Sequence, residues 1–239
     1  TTCLISVMYA NNETGAIQPI REIGALCRKR GVLFHTDAVQ AAGHLTINVQ
    51  RDNIDMLSLS AHKFHGPKGI GLLFAKSNIQ LTSLIRGGGQ ERGKRAGTEN
   101  LPSIIGLATA LKDAQEHMQQ NTAYITGLRD ALRNGLDKID GAVFNGSREH
   151  CLPGTVNYSF QGVNGETLLS LLSNEGICCS SGSACSAGSL EPSHVLLALG
   201  LSHETAKSAL RFSLCEYNTM DEVQTIITKV TEAVNRLRR

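Results

Sequence analysis

A lysine accompanied by a carboxylate, an imidazole and a hydroxyl is the clearest chemical signal in the sequence. Lys63 lies in the segment SAHKFHGPKG, with Ser60 and His62 before it and a Gly-Pro-Lys-Gly turn after it. Asp37 and Gln40 occur earlier, in the segment HTDAVQ. An amine whose pKa is lowered from about 10.4 can act as a nucleophile or a base, and hydroxyl and imidazole groups suit a phosphate. A lone lysine is most often a surface residue, so the prediction depends on the whole set.

Pyridoxal phosphate is the cofactor whose chemistry needs this combination. A lysine amine forms a Schiff base with its aldehyde, and a carboxylate keeps its pyridine nitrogen protonated so that the ring can accept electrons. Lys63 and Asp37 supply these two groups; Lys63 follows one strand-like run, and Asp37 lies at the end of another. Open α/β sheets bind ligands at the carboxyl ends of their strands. We therefore predict a pyridoxal phosphate site in this part of the chain.

Three cysteines in the segment ICCSSGSACSAGSLEPSH indicate either thiol chemistry or a metal site. Cys178 and Cys179 are adjacent, and Cys185 lies among small polar residues that leave a side chain accessible and able to attack as a thiolate. The spacing matches no usual zinc or iron–sulfur motif, and adjacent cysteines are poorly placed around one tetrahedral ion, so we predict no structural metal. Cys185 is the predicted reactive thiol. The cysteines that we expect to be buried in packing are Cys3, Cys27, Cys178, Cys179 and Cys215.

Composition places the chain among globular proteins. It has 239 residues, 41% of them hydrophobic, and a net charge of +2. So balanced a charge argues against nucleic acid or an anionic membrane as the main partner, and the apolar runs are too short to span a bilayer. The 7 cysteines are an odd number and are scattered, as in proteins of a reducing compartment. We therefore expect a cytoplasmic protein.

Strand and helix patterns alternate in the first half of the chain, which predicts an α/β sheet with crossover helices. The helix begins after Pro19, has apolar residues at helical spacing from Ile20 to Cys27, and ends at Gly31. His35, two residues before Asp37, either packs in the sheet or orients the site. The predicted strands cover residues 3–9, 32–38, 54–60 and 69–76.

The pattern changes after the glycine-rich segment RGGGQERGKRAGTEN. A long helical pattern runs from about Ser103 to Leu136, and Gly127 predicts a break in it. Beyond it we predict a strand in TVNYSF, a helix ended by Gly176, two short helices, a strand in ALRFSL and an amphipathic helix from Met220. We place a domain boundary near residue 118, between 1–118 and 119–239.

Six segments of the chain together resemble one protein family. They are NNETG, HTDAVQ, SAHKFHGPKG, GGGQERGKRAGTEN, SSGSACSAGSLEPSH and LRFSL, and they follow the family's order over essentially the whole chain. The family is that of the pyridoxal-phosphate-dependent cysteine desulfurases of the NifS/IscS type, group I of the class V aminotransferases. The resemblance implies fold type I. Residues 1–118 would be the C-terminal part of the large cofactor-binding domain, with a mixed, mostly parallel sheet, and 119–239 a small α+β domain carrying the catalytic cysteine loop.

The resemblance also implies roles for the residues of the cofactor site. Lys63 would hold the cofactor aldehyde, Asp37 would pair with the pyridine nitrogen, and Gln40 would donate to the phenolic oxygen. Ser60 and His62 would bind the phosphate.

Further roles fall outside that cluster. Thr98 would reach the cofactor phosphate of the neighbouring subunit in a homodimer. The basic loop at 86–100 lacks a Walker A pattern, so we expect it to contact the neighbouring active site rather than a nucleotide. Asn12 would lie near the phenolic oxygen and the substrate carboxylate, and Arg211 would clamp that carboxylate in a bidentate fork. Cys185 would accept the substrate sulfur.

The implied reaction converts L-cysteine into L-alanine and leaves the sulfur as a persulfide, which is passed to a sulfur acceptor or a scaffold for iron–sulfur cluster assembly. Selenocysteine lyase is the alternative enzyme, and a sulfur-relay or interaction fragment without chemistry of its own is the alternative of another class. The chain starts at Thr1 without a Met, inside the family's sequence, so we expect it to be N-terminally incomplete. A targeting peptide would lie upstream.

Overall fold

The computed structural model describes residues 2–182 and 191–239 and forms two compact units. The assignment of 1–118 and 119–239 to the two domains of the family stays a prediction. The units consist of the residues up to Tyr9 with Gln18–Met118, and of Ala10–Ile17 with Gln119–Arg239.

A four-stranded mixed sheet forms the centre of the first unit. The first three strands are parallel, and the fourth is antiparallel to the third. The prediction of an α/β sheet with mostly parallel strands is therefore confirmed. The strands, in their order across the sheet, are β1 (Leu4–Met8), β2 (Leu33–Asp37), β3 (Met56–Ser60) and β4 (Gly71–Ala75).

Helix α1, Ile20–Arg30, makes the crossover between β1 and β2. Pro19 precedes its first residue, and its buried residues include Ile20 and Cys27. Gly31 adopts the left-handed conformation with φ of 65° and its N–H donates to the carbonyl of Arg28, which ends the helix in the way glycine favours. Both predicted ends of this helix are confirmed.

Burial in the first unit is concentrated on the inner strands. Phe34 in β2 and Ile54 just before β3 are fully buried, whereas Leu4 in β1 and Leu73 in β4 are 43% and 52% exposed. Cys3, next to the edge strand β1, is exposed. The expectation that Cys3 is a core residue was wrong because, among the residues that the structure describes, the adjacent strand β1 pairs with β2 alone.

The second unit combines an antiparallel sheet with helices, as expected for a small α+β fold. Its sheet has the order β5, β6, β7. Helix α2 is shared, its residues up to Met118 belonging to the first unit. The elements are α2 (Leu101–Leu136), β5 (Ala142–Phe144), β6 (Thr155–Phe160), α3 (Gly165–Asn174), α4 (His194–Ala198), α5 (His203–Lys207), β7 (Ala209–Ser213) and α6 (Met220–Leu237).

Helix α2 is continuous, so the predicted break at Gly127 was wrong. Gly127 is exposed, while Leu128 and Leu132 are 2% and 0% exposed in the core of the second unit. A glycine inside a helix costs about 1 kcal/mol, whereas each buried leucine contributes about 1.5–3 kcal/mol. Packing of the apolar face therefore outweighs the glycine.

Helix α6 begins with a complete capping box. Thr219 accepts from the N–H of Glu222, and the Glu222 carboxylate accepts from the N–H of Thr219. Its buried residues Val223, Val230 and Val234 recur at helical spacing and pack on the core. Within the described ranges, no helix has both the length and the apolar character needed to cross a membrane.

Candidate active site

Asp37 is the last residue of β2, and the turn that follows it is held by its own side chain. The Asp37 Oδ1 accepts from the N–H of Val39 at 2.9 Å. Ala38 is fully buried and starts a tight turn in which its carbonyl accepts from the N–H of Ala41. Gln40 lies in this turn and is half-buried, whereas the Asp37 side chain is exposed. The polar groups of HTDAVQ therefore lie at the carboxyl end of a strand, where ligands bind in open α/β sheets.

His35 lies on the same face of β2 as Asp37, since side chains alternate along a strand. Its ring is hydrogen-bonded to the hydroxyl of Ser6 at 2.7 Å and to that of Ser58 at 2.9 Å, so it links the three parallel strands. Of the two predicted roles, packing in the sheet is the one that these bonds describe.

Lys63 lies on a short 3₁₀ turn, Ala61–Phe64, that begins directly after β3. Ala61 and Phe64 are 0% and 2% exposed and fasten the turn to the core, while His62 and Lys63 are exposed. The N–H of Ala61 donates to the carbonyl of Ile70. Lys63 therefore lies on a turn that two buried residues hold in place, and its own side chain is exposed.

Ser60 and His62 lie next to this lysine and contact each other. The Ser60 hydroxyl is 2.8 Å from Nδ1 of His62. Asp37 pairs in register with Ser58, two residues before Ser60 on the adjacent parallel strand. The carboxylate, the hydroxyl, the imidazole and the amine therefore follow the ends of two neighbouring strands.

His44 is a further residue of this region and was not predicted from the sequence. Its Nε2 donates to the carbonyl of Lys63 at 3.2 Å, and because a carbonyl can only accept, this nitrogen carries the proton. His44 therefore helps to hold the backbone of Lys63. It belongs to no motif, and the contact joins positions 19 residues apart, so the sequence gives little signal for it.

Thr98 is exposed and lies in the first unit, at the end of the basic glycine-containing loop. Glu91 and Arg92 of this loop have φ of 48° and 56°, which is uncommon for residues with a side chain. The predicted contact of Thr98 with a neighbouring subunit stays a prediction.

Asn12 and Arg211 meet in the second unit. Nη1 of Arg211 donates to the carbonyl of Asn12 at 2.9 Å. Arg211 is in the middle of β7, where it pairs with Asn157 of β6 and forms a bridge with Ser180. The two residues predicted to bind the substrate carboxylate are therefore adjacent, and strand pairing fixes the backbone of the arginine.

The cysteine predictions have mixed outcomes. Cys185 lies outside the described residues. Cys178 is exposed, so the expectation that it is buried was wrong; it follows helix α3, which ends at Asn174, and does not lie in a strand. Cys27 is buried, as predicted. Burial of Cys179 raises the pKa of its thiol to about 11, which keeps that thiol protonated at neutral pH. In the ranges 2–182 and 191–239, no group of three or more metal-binding side chains is found.

Comparison with protein families gives one match over nearly all of the chain. The family model described as Aminotransferase class-V matches residues 1–226. A cysteine desulfurase named IscS from Clostridium botulinum is 49% identical over 240 residues, which are 99% of this chain and 60% of that protein. A cysteine desulfurase from a Nostoc species is 48% identical over 238 residues, again 99% of this chain and 60% of that protein.

The chain also matches a solved structure over nearly its whole length. A structure described as a NifS-like protein superposes with a TM-score of 0.90 at 39% identity, covering 98% of this chain and 62% of that one. The chain thus spans about 60% of the length of the curated relatives it matches.

Proposed function

The chain belongs to the class V aminotransferase family, and from that premise we propose that it forms part of a pyridoxal-phosphate-dependent cysteine desulfurase. The reaction would convert L-cysteine into L-alanine and leave the sulfur on an enzyme cysteine as a persulfide. Relatives that are named cysteine desulfurases and are nearly half identical to this chain support the proposal.

The observation that carries the proposal is the arrangement of Asp37 and Lys63. Asp37 ends β2, and Lys63 follows the end of β3, the next parallel strand. The donors present fit pyridoxal phosphate, because an amine suits its aldehyde, a carboxylate suits its ring nitrogen, and the adjacent Ser60 and His62 suit its phosphate. When bound, this cofactor withdraws electrons from the Cα of an amino acid.

The residues of the first unit would each perform one task. Asp37 would hold a proton at the ring nitrogen, and Gln40 would donate to the phenolic oxygen. Lys63 would remove the Cα proton of cysteine and return a proton to the product. His44, which donates to the carbonyl of Lys63, would keep the lysine backbone in place during this proton transfer.

The residues of the second unit would act on the substrate. Arg211 would bind the cysteine carboxylate in a bidentate fork, and Asn12 would lie beside it. The Cys185 thiolate would attack the substrate sulfur, so that an S–S bond forms while the C–S bond breaks. The electron pair of the C–S bond would stay on the Cβ of the substrate, which would then take up a proton to give the methyl group of alanine, so no external oxidant or reductant is needed.

We extend the proposal to the assembly of the enzyme. The persulfide would be passed to an acceptor protein such as a scaffold for iron–sulfur clusters. The enzyme would be a homodimer in which Thr98 contacts the cofactor phosphate in the neighbouring subunit. Sedimentation of the cofactor-loaded protein tests the dimer, and a Thr98→Ala variant should then bind cofactor more weakly without loss of the dimer.

Two variants test the proposed reaction. Lys63→Ala should lose the absorbance band of the bound cofactor, and an unchanged band would refute the role of the lysine. Cys185→Ser should keep that band but release no sulfide from cysteine in the presence of a thiol reductant. Normal sulfide release by Cys185→Ser would transfer the role to another thiol, of which the exposed Cys178 is the first to test.

The choice of substrate is tested by comparing cysteine with selenocysteine. Faster turnover of cysteine supports a desulfurase, whereas turnover of selenocysteine alone would identify a selenocysteine lyase. A purified protein that carries no cofactor and forms no alanine would instead favour a sulfur-relay or interaction fragment without chemistry of its own.

A further inference from the structure

The residues on either side of 183–190 meet at the side chain of Glu13. The Ser193 hydroxyl donates to Oε2 of Glu13 at 2.5 Å. On the other side, a Cβ at Gly182 would lie 3.3 Å from the same carboxylate oxygen and 3.7 Å from the Cβ of Ser193. The Glu13 carboxylate therefore lies close to Gly182 and is hydrogen-bonded to Ser193, which are on opposite sides of residues 183–190 in the sequence.

Ser193 uses its hydrogen-bonding capacity in full. Besides donating to Glu13, its Oγ accepts from the N–H groups of Val195 and Leu196 and so begins helix α4. A hydroxyl has one proton to donate and two lone pairs that accept. The Glu13 contact therefore determines where α4 begins relative to the turn that contains Glu13.

Glu13 is itself held at a fixed position. It is only 3% exposed, its N–H donates to the side chain of Asn11, and its carbonyl accepts from Asn157. The preceding carbonyl, that of Asn12, accepts from Arg211, the cross-strand neighbour of Asn157. One turn thus contacts both the proposed substrate-binding arginine and Ser193, which follows residues 183–190 in the sequence.

A carboxylate this deeply buried is unfavourable unless hydrogen bonds compensate for the lost water. Nothing in the proposed reaction uses the Glu13 carboxylate directly. Its hydrogen bond to Ser193 joins residues 180 positions apart and is the charged type that is strongest in protein interiors. These facts indicate that the carboxylate serves the geometry of the segment.

We propose that Glu13 is a positioning residue that sets the place from which the Cys185 thiol approaches the substrate sulfur. The proposal rests on the proposed function, since it concerns the sulfur-transfer step. A fixed base lowers the entropic cost of bringing the thiol to the substrate, and misplacement by about 1 Å can slow a reaction on the order of a hundredfold. Loss of the anchor should therefore slow sulfur transfer while substrate binding by Arg211 remains.

A matched pair of variants at Ser193 separates this role from helix capping. Asparagine and aspartate both cap helices about as well as serine. Ser193→Asn retains a group that can donate to Glu13, whereas Ser193→Asp places a second carboxylate against it. In the cofactor-loaded full protein we expect Ser193→Asp to form alanine from cysteine at least tenfold more slowly than Ser193→Asn, with similar KM for cysteine and similar cofactor absorbance.

A double variant supplies the rescue. In Glu13→Gln combined with Ser193→Asp, the new amide can donate to the new carboxylate, which restores the hydrogen bond with its polarity reversed. We expect the double variant to recover most of the rate that Ser193→Asp loses. When the unchanged protein forms alanine, equal rates in the two Ser193 variants, or no recovery in the double variant, would overturn the proposal.

Amide hydrogen exchange gives a readout that does not depend on chemistry. Peptides covering 177–182 and 191–200 should exchange roughly tenfold faster in Ser193→Asp than in Ser193→Asn, as expected for loss of one charged hydrogen bond. If the protein with cofactor forms no alanine but this difference is seen, the anchor stands and the desulfurase assignment fails. If alanine forms and exchange does not differ, the anchor fails and the assignment stands.

Discussion

Replacement of Gly66 by alanine should displace the turn that carries Lys63. A Cβ at this position would lie 2.8 Å from the Cβ of Ala61 and 2.9 Å from its carbonyl oxygen. Ala61 is fully buried, and its carbonyl already accepts from the N–H of Gly66, so it has no room to move away. The added methyl group must therefore push the turn Ala61–Phe64 out of its position.

The size of this effect follows from the cost of overpacking, which is about 1–3 kcal/mol. In a chain of this length 1 kcal/mol corresponds to roughly 2–4 °C in the unfolding temperature, so we expect a fall of about 2–12 °C. Because Lys63 moves with the turn, binding of pyridoxal phosphate should weaken by roughly tenfold or more. Thermal unfolding followed by circular dichroism and cofactor titration followed by absorbance measure the two effects.

Gly127→Ala is the matched control, since it makes the same chemical change in helix α2. A Cβ at Gly127 meets no atom within 4 Å. Alanine in a helix is more stable than glycine by roughly 0.5–1 kcal/mol, so this variant should unfold at a slightly higher temperature and bind cofactor normally. Normal cofactor affinity and an unchanged unfolding temperature in Gly66→Ala would refute the view that the turn is tightly packed around Lys63.

Three further predictions concern the second unit. Arg211→Lys should raise the KM for cysteine by about tenfold or more in steady-state assays, because a point charge replaces a bidentate fork; an unchanged KM would exclude the carboxylate clamp. Cys179→Ser should release sulfide at the normal rate, since the raised pKa of the Cys179 thiol leaves it protonated; loss of turnover would contradict this. Hydrogen bonds from Arg148 lower the pKa of the Asp137 carboxyl group. The ionised carboxylate therefore stabilises the folded protein at pH values above its ordinary pKa near 4, and this stabilisation is lost as the pH falls through the pKa of the folded state. Asp137→Asn should therefore be less stable than the unchanged protein at pH 7 in urea unfolding, with the difference shrinking toward pH 3; a difference independent of pH would argue against the ion pair.

The sequence by itself determined the local structure and the chemical types of the candidate site. Pro19 and Gly31 mark the ends of α1 because caps depend on residues only a few positions apart. The same holds for the start of α6 at Met220, which the Thr219 capping box explains. Lys63 and Asp37 could be identified because Asp37 lies at the end of one strand-like run and Lys63 comes just after another.

Other features depended on contacts between residues far apart in the sequence, and only tertiary packing determined them. The three-residue strand β5 exists through its pairing with β6, and α2 continues past Gly127 because Leu128 and Leu132, which follow it, are buried. The exposure of Cys3 follows from its place beside an edge strand. The contact of Glu13 with Ser193 joins residues far apart in sequence, and such pairs form only when the surrounding core brings them together. Caps and periodicity act over a few residues, whereas burial and long-range hydrogen bonds depend on the whole fold, and this difference explains which features the sequence alone could predict.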